Sequence, residues 1–338
     1  MNRVTPRQLA DKQHIGIDVA KYIMAFAVVA IHFRPNFSHD FYYPDIFQWS
    51  IMLAVPFYFI TSGYLIQSKI NLKPTASLKQ EYLRYRARKI ARLWFIWLAI
   101  SLPLAIWSYS NRASASFDIV SDVRNYILDV IINGCSPRAA PLWYLYSMFW
   151  ICLIYRLLIN KSKHIAIYLF AVFALIDTAF WAAGHSEIEF FKTFRHYFKS
   201  ILGGGIYMFA GILIAKQELD NNALYKGITA LSISLALFYL ELPYYELAGG
   251  TGIFLIAMSL NQLKSHNSSA GLRFQSMWIY YTHEYVLFIV FILIGIKEFV
   301  QNPWIILGFI WIIMAALATL LYSLQQTRRF RLLTALVS

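Results

Sequence analysis

The sequence predicts an all-α protein, a polytopic transmembrane helical bundle of about ten spans with both termini on the cytoplasmic side. Three observations carry that expectation. Hydrophobic residues make up 59% of the 338 and charged residues only 14%, with a mean hydropathy of +0.52, whereas a soluble domain carries about 25% charged residues. Apolar segments recur along the whole chain and leave no stretch able to fold as a separate soluble module, so residues 1–338 read as a single membrane-embedded domain. Lysine and arginine are shared unevenly between alternate loops: 21 fall on the side of the N-terminus and 8 opposite, and Lys21 inside the first segment completes the 30. That bias puts the N-terminal side in the cytoplasm.

The chain opens on a polar, basic stretch, MNRVTPRQLADKQH. The apolar segment behind it is too long for a signal-peptide core and has no small-residue cleavage pattern after it, so it is expected to remain as a signal anchor. This segment, residues 15–33, can cross a bilayer once, since about 20 residues at about 1.5 Å each match a hydrocarbon core of roughly 30 Å. It nevertheless carries Asp18, Lys21 and His32. At roughly 100° per residue the three fall within a wedge about 60° wide, so one helix face is ionisable and the rest is lipid-like. Ionisable groups at membrane depth face a protein interior or a wet cavity, which makes this face the first functional candidate. A structural Asp18–Lys21 pair with an interfacial His32 is the plainer alternative.

Further apolar segments follow at 46–67, 90–109, 142–159, 165–183, 201–215, 224–240, 247–263, 277–296 and 304–324. Residues 118–133 are mixed and read as an interfacial amphipathic helix or a partly buried loop, on which ten spans against eleven depends. Pro56 is expected to kink or open the second segment. Gly203, Gly204, Gly205 and Gly211 suit close helix approach, with a phosphate cradle as the lesser alternative. Cys135 and Cys152 lack both a pairing arrangement and metal-ligand spacing, so neither a disulfide nor a metal site is expected. The net charge of +13 sits with the cytoplasmic loops; that is the pattern of a membrane protein meeting an anionic ligand or lipid, not of a nucleic-acid binder.

Orientation gives the first helix a direction. Asp18 and Lys21 lie near its cytoplasmic end, and His32 about 16 Å beyond Lys21, near the outer surface. The second segment is expected to run inward and end with Thr61, Ser62 and Gly63, and the loop YLRYRARKIARLW to bring Arg86 and Arg88 just ahead of the third. Guanidinium forks there suit a polyphosphate, because they grip phosphate oxygens bidentately without changing protonation state. Topology and anionic lipid also place basic clusters at such helix ends. On the outer side, Trp143 and Tyr144 of PLWYLYSMF are expected to join His32, whose neutral imidazole suits removal of a proton from a hydroxyl nucleophile. A third polar spot is Tyr281, Thr282, His283 and Glu284; His283 falls near mid-membrane and needs a partner, structural or catalytic. No HExxH, GxSxG, Walker A, CxxC or GxGxxG occurs at useful spacing.

Taken in order, these motifs resemble the acyltransferase-3 family of integral membrane acyltransferases, which modify bacterial cell-surface glycans and lipids. GIDVAKYIMAFAVVAIH is similar to the family's opening helix, VPFYFITSGYLI to its second, RARKIARLW to its Arg-rich approach to the third, PLWYL to its outer-loop motif and YYTHEYV to its late histidine motif. The resemblance implies transfer of an acyl group, usually acetyl, from cytoplasmic acyl-CoA to a hydroxyl at the outer face. It implies that His32 is the essential histidine and that Arg86 and Arg88 are the family's Arg-x-Arg pair. Lys21 stands where the family has an arginine, keeping the charge but losing the fork. The lysine form also resembles a branch associated with proposed amino-acid transport and antibiotic-resistance membrane proteins.

The expected protein is therefore an O-acyltransferase of the bacterial cytoplasmic (inner) membrane. Acyl-CoA (acetyl-CoA) is its donor substrate, bound by Lys21, Ser62, Arg86 and Arg88, with no tightly bound cofactor. His32 acts as general base in a direct attack on the thioester, since no serine or cysteine is paired with a base. Asp18 holds Lys21, and Trp143, His283 and Glu284 support the site. The acceptor is a cell-surface glycan or lipid-linked sugar, membrane lipid surrounds the protein, and no nucleic acid is involved. The rival is a transporter or flippase for a small polar solute or amino acid, using His32 and His283 for proton coupling; the two halves show no inverted hydropathy repeat. A purely structural subunit ranks third.

Overall fold

The computed structural model describes residues 14–34, 42–111, 119–186, 188–217, 222–260, 269–327 and 336–337, and the regular elements among them are all helical. The basic N-terminal stretch, Lys264, Arg328, Arg329 and Arg331 lie outside the described residues. The first apolar segment is α1 (Ile15–Phe33), with the expected bounds. The second is two helices, α2 (Asp45–Met52) and α3 (Ala54–Asn71), meeting at Leu53. Proline has no N–H to give the carbonyl four residues back and its ring crowds that carbonyl; for Pro56 this is Met52, where α2 stops. Because α3 continues to Asn71, Thr61, Ser62 and Gly63 lie in the middle of a helix, not at its end.

The third segment begins far earlier than residue 90. Helix α4 (Ala76–Ser110) has 35 residues and is about 52 Å long. Its N-cap is Thr75, whose side chain accepts from the Leu78 N–H at 3.3 Å. Arg86 and Arg88 are thus part of the helix, where a loop was expected. The reason is a stripe of buried apolar residues, Leu83, Ala87, Ile90, Trp94 and Trp97, that runs at helical spacing beneath the basic residues.

The mixed stretch forms α5 (Ile119–Leu128) and a π turn at Asp129–Asn133, with Val120, Val123, Ile127 and Ile131 exposed. A 3-10 turn (Ala140–Leu142) leads into α6 (Trp143–Leu158), followed by α7 (Ile165–Gly184), α8 (Glu189–Leu202) and α9 (Gly205–Ile214). Then come α10 (Ala223–Tyr239), α11 (Tyr245–Leu260), α12 (Ala270–Phe288) with a π turn at Ile289–Leu293, and α13 (Pro303–Gln326). Among the described residues, seven stretches are long and apolar enough to cross a membrane: Ile15–Phe33, Asp45–Asn71, Ala76–Ser110, Ala140–Leu158, Ile165–Gly184, Ala270–Leu293 and Pro303–Gln326. Three expected spans are shorter apolar helices, Phe198–Ile214, Ala223–Tyr239 and Tyr245–Leu260. The chain is an integral membrane protein.

The described residues form two compact units, one within Phe59–Glu218 and one within Gln13–Tyr58 and Leu219–Ser338; the chain passes between them inside α3. In the first, α4 packs on α6, α7 on α9, and α8 against α6 and α7. Here α3 crosses α9 at backbone contact. A Cβ on Gly63 would overlap the Met208 carbonyl, and one on Gly211 would overlap that of Ile60, so reciprocal glycines set the crossing. Cβ atoms on Gly204 and Gly205 would strike the rings of Phe59 and Phe173; rings occupy the space that a phosphate would need.

In the second unit α1 is surrounded by α2, α11, α12 and α13, and α10 packs on α11. Three aromatic donors fix α1 through its own carbonyls: Tyr58 Oη to Lys21 O at 2.6 Å, Trp311 Nε1 to Phe26 O at 3.2 Å and Tyr43 Oη to Ala30 O at 3.0 Å. Each uses the second lone pair that a helical carbonyl retains.

Candidate active site

The ionisable face of α1 is met at both ends by α12. Asp18 is 3% exposed, and a carboxylate so buried needs a cation and hydrogen bonds. Lys21, one turn on, was the expected partner. The carboxylate is instead gripped by Arg273, whose Nε donates to Oδ1 at 3.0 Å and whose Nη2 donates to Oδ2 at 2.8 Å, while Ser269 Oγ donates to Oδ2 at 2.5 Å. A planar fork matches both carboxylate oxygens at once, which a lysine cannot do. Asp18 therefore ties α1 to the start of α12. Sequence reasoning saw Arg273 only as one more cytoplasmic basic residue; the two partners are 255 positions apart, and no periodicity links them.

At the other end of α1, His32 Nδ1 lies 3.2 Å from Glu284 Oε1 of α12, with their side chains 21% and 13% exposed. The His283 ring is 5.1 Å from that of His32, centre to centre. His283 itself is fully buried; its Nδ1 sits 2.7 Å from the Tyr280 carbonyl, and its Nε2 has no hydrogen-bond partner. A carbonyl only accepts, so Nδ1 carries the proton and Nε2 presents a bare lone pair. In His32, a proton on Nδ1, toward the carboxylate 3.2 Å away, makes Nε2 the acceptor. One donor atom from each of His32, His283 and Glu284 lies within 4.8 Å of the others. Because Asp18 meets the first turn of α12 and His32 its middle, α1 and α12 run side by side in the same direction.

The remaining candidates belong to the other unit. Ser62 Oγ and Tyr144 Oη are hydrogen-bonded at 2.9 Å, and Arg86 is near enough to Tyr144 and Cys152 to act on both electrostatically. Tyr144, expected beside His32 at the outer surface, thus shares a cluster with Ser62 and Arg86. Arg86 Nε and Thr61 Oγ1 are buried without a hydrogen-bond partner, as is Arg156 Nε on α6. Arg88 is exposed; two residues apart on a helix is a rotation of about 200°, so the Arg-x-Arg pair cannot close on one phosphate from one face. Trp143 starts α6 with its ring 5.8 Å from that of Phe59. Arg156 was not singled out by sequence as a site residue, since a buried polar atom lacking a partner becomes visible only after folding.

Histidine lone pairs at one place and a guanidinium with an unsatisfied buried N–H at another are the groups wanted for proton removal and for anion binding. The sequence comparisons bear directly on this chemistry. A family model described as an acyltransferase domain, acyltransferase-3, matches residues 14–323. The chain belongs to the acyltransferase-3 family. Among curated proteins it is similar to a serine/alanine racemase of Enterococcus gallinarum, 24% identical over 296 residues, which cover 80% of this chain and 40% of that protein. It is also similar to an amino-acid racemase of Enterococcus faecalis, 26% identical over 136 residues, or 40% of this chain and 17% of the relative. The match thus spans two-fifths or less of the length of these racemases. No solved structure matches significantly.

Proposed function

We propose that this acyltransferase-3 protein moves an acyl group, acetyl in the simplest case, from cytoplasmic acyl-CoA to a hydroxyl of an extracytoplasmic glycan or lipid-linked sugar, in the bacterial cytoplasmic membrane. The observation that carries the reading is the His32 Nδ1–Glu284 Oε1 contact of 3.2 Å. Glu284 holds the ring in the tautomer whose Nε2 accepts the acceptor's hydroxyl proton, and steadies the imidazolium that results. The hydroxyl oxygen then attacks the thioester carbonyl, the C–S bond breaks and CoA leaves as the thiol. His283 Nε2, a second lone pair beside His32, is placed to receive a hydrogen bond from the incoming sugar.

On the donor side, Arg86 reads the CoA phosphates, supported by its buried Nε lacking a partner, with Ser62 as a further contact. Arg88, exposed, contributes only at long range. In liposomes enclosing acyl-CoA with an external glycan acceptor, His32→Ala lowers transfer by about 10²- to 10⁴-fold and keeps CoA affinity. Arg86→Ala weakens CoA binding by about tenfold or more, and Arg88→Ala much less. A His32→Ala protein transferring at the wild-type rate sinks the reading.

A second reading, carriage of a small amino acid, is favoured by the similarity to proteins named for racemising serine and alanine. Uptake of serine by wild-type liposomes without consumption of acyl-CoA decides for it.

A further inference from the structure

We propose that His32, His283 and Glu284 form a binding site for a divalent transition-metal ion of the zinc type, and that the bound ion blocks acyl transfer. Two imidazole nitrogens and a carboxylate oxygen within 4.8 Å of one another are a donor set suited to Zn²⁺ or Co²⁺ and poorly suited to the oxygen-preferring Mg²⁺ and Ca²⁺. Such ions hold nitrogen and oxygen ligands at about 2.0–2.2 Å, which puts tetrahedral neighbours about 3.4 Å apart. The His32–Glu284 pair, at 3.2 Å, already has that spacing, and side-chain rotation closes the rest.

His283 supplies the second, independent observation. Its Nε2 is buried without a hydrogen-bond partner, while its Nδ1 is anchored on the Tyr280 carbonyl at 2.7 Å. Ligating histidines are held in this way, one nitrogen on a backbone carbonyl and the other bare. Glu284 brings the negative charge that a dication needs in a poorly solvated place. Motif spacing could not reveal the set, because its members come from the last turn of α1 and the middle of α12.

A metal on His32 Nδ1 shifts the ring's proton to Nε2, so Nε2 has no lone pair left to accept the hydroxyl proton. The blocking effect rests on the reading of His32 as the base; the metal site does not. Titration of Co²⁺ into full-length, tag-free protein in detergent reads the site through its visible absorption, without any acyl transfer. Wild type is expected to develop the intense bands of low-coordinate Co²⁺ at about one equivalent, and His283→Gln and Glu284→Gln each to weaken binding by about tenfold or more, with thermal melts checking that both fold. X-ray absorption of the zinc-loaded wild type, which needs no variant, is expected to show two imidazoles. Zn²⁺ is expected to slow wild-type transfer, and a chelator to restore it. Wild type without bands, bands undiminished in both variants, or a zinc spectrum without imidazole overturns the site. Bound Zn²⁺ with an undiminished transfer rate leaves the site standing and overturns His32 as the base.

Discussion

A histidine serves as a base only where one ring nitrogen keeps its lone pair facing the substrate, and in the function proposed for this protein a single carboxylate decides which. Glu284 Oε1 lies 3.2 Å from Nδ1 of His32; glutamine in its place can hold the ring but cannot balance the charge of an imidazolium. Glu284→Gln should therefore lower kcat by about 10²-fold or more while leaving the KM for acyl-CoA unchanged, measured by acyl transfer in proteoliposomes. An equal rise in KM would instead point to a donor-binding role. Asp18 makes the contrasting case: it lies on the same helix face as His32, and its carboxylate is saturated by Arg273 and Ser269, so its work is structural.

That pair belongs to the scale of elements, because it fixes how α1 lies on α12. Removing one partner of a buried ion pair costs about 3–5 kcal/mol. Arg273 is 42% exposed against 4% for Asp18, so water relieves part of the loss and about 2–3 kcal/mol is expected for Arg273→Leu. The double variant Asp18→Asn, Arg273→Leu should recover most of it, since no charge then remains buried alone. Unfolding in micelles measures both; a single variant as stable as wild type would show that the fork holds nothing. The same scale explains α4. Hydropathy averaged over a window loses the stripe from Leu83 to Trp97 among the arginines and lysines around it, yet one apolar face suffices to make a helix when it has something to pack on.

At the scale of the molecule, the parallel course of α1 and α12 restricts the number of crossings between them. Two helices that cross a membrane in the same direction are joined by an odd number of crossings. Four long spans and three shorter apolar helices lie between Ile15–Phe33 and Ala270–Leu293, so an odd number of the three shorter ones must cross, and the ten-span reading uses all three. With α13 following α12, the ten-span reading puts both termini on one side, and the lysine and arginine bias predicts that side to be the cytoplasm. Single cysteines at Lys73 and Lys297 should be labelled from opposite faces of intact cells, Lys73 only after permeabilisation and Lys297 without it. Labelling of both from outside would refute the topology.

The amino-acid sequence by itself determined that this is a helical membrane protein, where its apolar segments lie, and that His32, His283 and Glu284 are the groups to watch, because burial of apolar length and the cost of ionisable groups in lipid are local properties of a chain. The tertiary structure alone decided who meets whom. Arg273 rather than Lys21 answers Asp18, Arg86 turns inward while Arg88 faces out, and Tyr144 joins Ser62. These pairings depend on the rotation of each helix and on which helices pack together, and both are set by interactions between residues far apart in the chain, where hydrophobic periodicity carries no record of the partner.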